Sequence, residues 1–354
     1  LHKAIRRQRQ MCIRDRSGSM AYDMGSEKVT VYTKVESSNS TNYYYRTNRY
    51  VKLSDGTYAP VKITERITES GSFWEADTYT YTYTYTDENN KQQSMTSEGP
   101  YKTFDEWQLY SKETRVLSRL EALQNAVTNF VDQVSKEATK NDVDHRIAIV
   151  GFSSDTYDNT EILTGCKING TNGVQYDRAT NDDFKNALVT MNTADGKKSA
   201  TNAIDVLTAN GGTETNKGMQ MAKDILDNDS KKNEDRNRVV VLFTDGVPGH
   251  NSKENTQKIN TNYANPAIKC ANDISKYYSA TIYTVGIFSG ANGENPQKPP
   301  VNGKWYPYAG NNVDPISSTA NRFMHLVSSN YPDATAMDKP GSVNSSLKND
   351  DSYY

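Results

Sequence analysis

The chain has 354 residues, enough for one large domain or two smaller ones with a buried core. Only 35% of its residues are hydrophobic, mean hydropathy is −0.83, and 41 basic against 43 acidic side chains leave a formal net charge of −2. This balance gives no global electrostatic attraction to nucleic acid or to an anionic membrane, and no apolar stretch is long enough to span a bilayer.

Asn, Thr, Ser, Asp and Tyr are abundant, a flavour that suits a secreted or cell-surface bacterial protein. Three cysteines, Cys12, Cys166 and Cys270, form no CxxC and no Cys/His cluster, which argues against zinc. Cys166 and Cys270 either pair in an oxidising compartment or stay as two isolated thiols.

Residues 1–16 carry Lys3, Arg6, Arg7, Arg9, Arg14 and Arg16, without the apolar core of a signal peptide and without an initiating Met. They read as an atypical, non-native or truncated end, with a basic nucleic-acid arm as the sharper alternative. Gln8 to Arg14 makes a poor strand. Asp15-Arg16-Ser17-Gly18-Ser19-Met20 then sets one carboxylate and two hydroxyls at alternate positions. Such oxygens can converge on a hard cation such as Mg²⁺. A Ser/Gly-rich turn with one Asp is also an ordinary loop or helix cap.

Residues 21–112 have strand character. Tyr50-Val51-Lys52-Leu53 leads into Ser54-Asp55-Gly56-Thr57, a hairpin signal, and Val61, Ile63 and Ile67 alternate with polar residues beyond it. Residues 78–86 alternate Thr and Tyr. Period two sends Tyr79, Tyr81, Tyr83 and Tyr85 to one face, either to cover a small core or to form an exposed aromatic ladder for a glycan or protein.

From residue 114 to 138 the period becomes helical, with Leu117, Leu120, Gln124, Val127, Val131 and Val134 three or four apart. A buried strand follows at 146–152, a weaker one at 161–168, and a helix at 182–191. A short helical piece at 203–207 leads to Gly211-Gly212-Thr213, and another helix begins at Asn216. The apolar run 238–244 is the strongest strand signal and ends in Asp245-Gly246. A helix over 266–278, a strand over 281–288 and a helix over 320–330 complete the pattern, and residues 336–354 form a polar, unpatterned tail. Strands alternating with helices predict an α/β fold, a Rossmann-like, mostly parallel sheet flanked by helices, accompanied by a small antiparallel β-rich module at 21–112. Loops after the strands gather at the sheet's carboxyl edge, where sites form. Asp15, Ser17, Ser19, Thr213 and Asp245 all fall on that edge.

Asp15-Arg16-Ser17-Gly18-Ser19, then Gly212-Thr213 with Gly218 five residues on, then Thr244-Asp245-Gly246 after an apolar strand, resembles the von Willebrand factor type A domain and its metal-ion-dependent adhesion site. The resemblance covers residues 15–20 and roughly 113–330. It implies that Asp15, Ser17, Ser19, Thr213 and Asp245 surround one Mg²⁺, with Mn²⁺ or Ca²⁺ as alternatives. The domain then runs over 15–335, interrupted by the module at 21–112, an arrangement similar to type A domains of Gram-positive surface proteins and pilus-tip adhesins. In the family an apolar strand precedes the first motif and a helix follows it at once; this chain departs on both counts.

The function implied is metal-dependent adhesion at the cell surface. An acidic residue of an extracellular protein would complete the metal shell, with a glycan as the alternative ligand. Two carboxylates balance the metal charge, and neutral hydroxyls leave it able to attract a further anion. A pilus or surface scaffold with a vestigial site is the second reading. A metal-dependent hydrolase is the third and finds little support. His2, His145, His250 and His325 are scattered, no Ser/His/Asp or Cys/His pairing stands out, and Lys217 belongs to no phosphate loop. The chain is therefore expected not to be an enzyme.

Overall fold

The computed structural model describes residues 8–35, 48–69, 78–98, 108–153, 161–162, 174–175, 179–245, 248–249, 259–288, 315–346 and 353. Tyr43 to Tyr45, Cys166, His2 and His250 lie outside them. The chain opens with β1 (Gln8–Asp15) and a single 3₁₀ turn (Gly18–Ala21). Six strands follow: β2 (Asp23–Lys34), β3 (Arg49–Lys52), β4 (Tyr58–Thr68), β5 (Thr78–Thr86), β6 (Gln92–Glu98) and β7 (Leu109–Ser118). Then come α1 (Arg119–Asn141), β8 (Arg146–Phe152), the short β9 (Glu161–Ile162) and β10 (Val174–Gln175), α2 (Asn181–Asn186) and β11 (Val189–Thr190). The order ends α3 (Ala194–Asp205), α4 (Thr215–Asn228), β12 (Asn237–Thr244), α5 (Thr261–Tyr278), β13 (Thr281–Gly286) and α6 (Pro315–Val327). Two compact units result: Leu1–Met24 with Leu117–Tyr354, and Gly25–Val116.

The first unit is built on a sheet of order β10-β9-β8-β1-β12-β13, with β11 also paired to β8. β1 runs parallel between β8 and β12, and β12 runs parallel to β13. The poor strand of the sequence is thus the central one. Its weak propensity is overridden because both of its backbone edges bond to strongly apolar neighbours, Arg146–Phe152 and Asn237–Thr244.

Alternation on β8 divides the core. Ala148, Val150 and Phe152 face one way and join Ile13, Val240 and Leu242 with the buried faces of α4, α5 and α6. Ile147 and Ile149 face the other way, against Leu123, Val127 and Val131 of α1 and Ala200, Ala203 and Ile204 of α3. A mostly parallel sheet covered on both faces is the predicted α/β layering. The fit of α4 is close: a Cβ on Gly218 would lie 2.8 Å from both Ile13 and Phe152 side-chain atoms.

Several boundaries differ from expectation. The helix expected from residue 114 begins at Arg119. The Ser118 side chain accepts from the Glu121 N–H and the Glu121 carboxylate accepts from the Ser118 N–H, a reciprocal cap that fixes the start and leaves 114–118 in β7. The helix expected over 182–191 stops at Asn186, and Val189–Thr190 instead pairs antiparallel with the start of β8. There the Thr190 hydroxyl donates to Asp144 at 2.8 Å and the Met191 N–H to the His145 carbonyl at 2.8 Å. The 203–207 piece is the end of α3, whose start is capped by Thr193. α5 begins before Pro266, capped by Asn260. Cys270 is buried on it, and burial pushes its thiol up to about 12. Part of the polar tail is tied down: Ala336 and Met337 are buried, and the Thr284 N–H donates to the Tyr353 carbonyl at 2.9 Å.

The second unit is a sheet of order β2-β7-β3-β4-β5-β6. Its core is Val51, Ala59, Val61, Tyr83 and Leu109, with Tyr85 packed alongside. In the Thr/Tyr strand, Tyr83 and Tyr85 therefore serve the core and not an exposed ladder. Tyr50, Tyr58 and Tyr110, each one residue out of phase with a core residue, sit on the opposite face, where the Tyr58 and Tyr32 rings stack at 4.0 Å.

Because α4 rests on β1 and β8 through Gly218, Gly218→Val is expected to lower stability by about 1–3 kcal/mol in denaturant unfolding. An unchanged midpoint would mean that the helix is not seated this closely.

Candidate metal centre

β1 ends at Asp15, between the ends of two parallel neighbours. The Arg16 N–H donates to the Phe152 carbonyl at 2.9 Å and so carries the ladder one residue further. The chain then turns: the Ser17 N–H donates to Asp15 Oδ1 at 2.8 Å, the local side-chain bond that short acidic residues favour at turns. The 3₁₀ turn after it drives Met20 into the core beneath α1 and α3.

The loop before α4 is stitched to this turn by its backbone. The Gly18 N–H donates to the Gly211 carbonyl at 2.8 Å, and the Asn210 N–H to the Arg16 carbonyl at 2.6 Å. Gly211 has φ +81°, a conformation that favours glycine. Gly18 is less demanding, since a Cβ there would meet the Gly211 oxygen at an ordinary 3.5 Å. Two residues past Gly211, Thr213 exchanges backbone bonds with Gly249 at 2.8 and 3.0 Å and is buried. β12 delivers Thr244 and Asp245 to the same edge.

The side chains of four of the five predicted residues meet. Asp245 Oδ1 accepts from the Ser19 hydroxyl at 2.9 Å and from the Ser17 hydroxyl at 3.5 Å, and the two hydroxyls lie 3.0 Å apart. Asp15 joins through its bond from Ser17 and accepts the Thr244 hydroxyl on Oδ2 at 2.5 Å. Thr213, the fifth, is brought to this edge by its loop. Asp15, Ser17, Thr213 and Asp245 are all buried and Ser19 is half-buried.

Two residues that the sequence did not single out also belong here. Thr244 orients Asp15. Arg119, the first residue of α1, places Nη1 2.8 Å from Asp245 Oδ2. No sequence signal distinguishes Arg119 from other basic residues; only the cap at Ser118 and the fold bring it in.

The electrostatics favour a cation. Burial, and then the Asp245 carboxylate, push the Asp15 carboxyl up to about 7. Burial also raises Asp245, against the opposing pull of Arg119 and the serine hydroxyls. Two desolvated carboxylates beside hydroxyl oxygens, with no soft ligand among the five, form a donor set suited to Mg²⁺ or another hard cation.

Comparison with known proteins bears on part of this edge. Residues 180–247 match the family model of the von Willebrand factor type A domain. The matched segment holds Thr213 and Asp245. Asp15, Ser17 and Ser19 lie outside it in sequence and reach it through the serine bonds to Asp245 and the Gly18 bond to Gly211. A search of curated proteins finds no match. Among solved structures, the PilB minor pilin from Streptococcus sanguinis is similar at 11% identity over 71% of this chain and 78% of that chain. Its TM-score of 0.28 is too low for the likeness to carry a fold assignment.

A carboxyl raised to about 7 binds its proton in the fold where the unfolded chain has released it. Its contribution to stability is full below the unfolded value of 3.8 and is lost as pH rises towards 7. In EDTA, the melting temperature of the wild type should therefore fall between pH 4 and pH 7 relative to that of Asp15→Asn. A difference that is flat, or of opposite slope, would show that Asp15 is not held this way.

Proposed function

We propose that this chain is a metal-dependent protein-binding domain of a bacterial surface protein, adhesin-like and non-catalytic. Asp15, Ser17, Ser19, Thr213 and Asp245 would hold Mg²⁺, with Mn²⁺ or Ca²⁺ as substitutes. The observation that carries this reading is that Asp245 accepts from the Ser17 and Ser19 hydroxyls while Asp15 accepts from the Ser17 N–H, at the carboxyl edge of a parallel sheet. The type A match over 180–247 supports it, because a protein-interaction role is what such domains suggest.

A bound divalent ion would supply a positive centre able to attract an oxygen ligand from a partner. The residues of the chain set its charge and access. Asp15 and Asp245 contribute two negative charges, which a divalent ion neutralises. The hydroxyls add oxygen without adding charge, so a carboxylate from a partner remains attractive. Asp15 lies deepest, fixed by the Thr244 hydroxyl and the Ser17 N–H, whereas half-buried Ser19 sits nearest solvent. The partner chemistry that suits this arrangement is an exposed Asp or Glu on an extracellular protein. The scaffold alternative keeps the same fold with a site that no longer takes metal.

Calorimetry and thermal melting separate the two. Mg²⁺ at a hundredfold excess over Kd should stabilise the wild type by about 2.7 kcal/mol, seen as a rise in melting temperature that EDTA reverses. Asp245→Ala should remove that rise. A wild type with no heat of binding to Mg²⁺ or Mn²⁺ and no shift in melting would leave the scaffold reading in place.

A further inference from the structure

We infer that Arg119 is a built-in cation of this site, which a divalent ion must displace from Asp245 in order to bind. The inference rests on the proposed metal-binding role and adds to it a determinant of metal affinity.

Both oxygens of Asp245 are engaged. Oδ1 accepts from Ser19 and Ser17, and Oδ2 is 2.8 Å from Arg119 Nη1. The Asp245 side chain is 0% exposed, whereas that of Arg119 is 22% exposed and so has a route to water. Arg119 is held in place from its own side of the contact. The Ser118–Glu121 cap fixes its backbone, its N–H donates to the Tyr22 carbonyl at 2.9 Å, and its guanidinium lies 5.9 Å from the centre of the Tyr22 ring. This is a supported contact with a buried carboxylate.

Charge governs the exchange. Asp15 and Asp245 carry two negative charges when ionised, and Arg119 cancels one of them. A divalent ion entering with Arg119 still on Asp245 would leave an excess positive charge at a desolvated site, where like charges repel strongly. The ion and the guanidinium also compete for the same carboxylate. Metal entry therefore favours release of the more exposed Arg119 towards solvent, and metal affinity is lower than the five oxygen-bearing residues would give without it. In the absence of metal, Arg119 instead stabilises the site by compensating a buried charge that would otherwise stand with hydroxyl partners alone.

The test is Mn²⁺ binding to the whole chain, by calorimetry and by the loss of the free-ion electron paramagnetic resonance signal, in the wild type, Arg119→Gln, Arg119→Lys and Asp245→Ala. Arg119→Gln should bind Mn²⁺ at least tenfold more tightly, because a removed charge pair near a protein surface is worth more than the ~1.4 kcal/mol that tenfold represents. In EDTA the same variant should melt below the wild type, a gap that saturating Mn²⁺ closes. Arg119→Lys, which keeps the charge, should stay close to the wild type in affinity. In the wild type itself, the Arg119 side-chain ¹⁵Nε resonance should move to the position of a solvent-exposed arginine as Mg²⁺ is added. This readout does not depend on any variant folding. Wild-type binding of Mn²⁺ with equal or weaker binding by Arg119→Gln, or an Arg119 resonance unmoved at saturating Mg²⁺, would overturn the inference and leave the metal site standing. No Mn²⁺ binding by any form would overturn both.

Discussion

Two carboxylates are buried side by side where β1 and β12 end, and the rest of the edge is arranged around the problem they pose. Asp15 and Asp245 are far apart in sequence and meet because a parallel sheet sets its strand ends in a row. An isolated pair of desolvated carboxylates is costly. The surrounding groups offset that cost locally: the Ser17 N–H and Thr244 hydroxyl on Asp15, the Ser17 and Ser19 hydroxyls and Arg119 on Asp245. Both carboxyls nevertheless remain raised, so the compensation is incomplete. That residual deficit is the ground on which a divalent cation is proposed as the further partner.

The scaffold that imposes this pairing is the doubly covered sheet. β1 must lie between β8 and β12 for Asp15 to face Asp245, and Gly218 must be small for α4 to settle on Ile13 and Phe152. The loop entering α4 is tied through Gly211 and Asn210 to the turn after Asp15, which brings Thr213 to the same edge. Packing, loop stitching and site geometry are thus one construction. A change that loosens α4 would be felt at the oxygens.

Much of this was legible in the sequence. The run before Asp245 is unmistakably a buried strand, and Gly211-Gly212-Thr213 before an amphipathic helix marks a loop at a strand-and-helix junction. The alternation of strands with helices gave the layering of the sheet. Residues 8–14 were misleading because strand propensity is a weak guide to a central strand whose two edges are both paired. Residues 182–191 mislead because their apolar residues fit a helical face, whereas Val189 and Thr190 pair with β8. In the Thr/Tyr strand, periodicity placed the tyrosines on one face but could not say which face was inward. Arg119 was invisible, being one of 41 basic residues and placed by a helix cap and not by any motif.

The central claim is that the five oxygen-bearing residues surround a divalent cation. The most direct measurement is anomalous diffraction from crystals grown with Mn²⁺. The account predicts one anomalous peak within coordination distance of the Ser17 and Ser19 hydroxyls, close to Asp245 and Thr213, that disappears in Asp245→Ala crystals. Well-ordered Mn²⁺ elsewhere, with none at this edge, would contradict it.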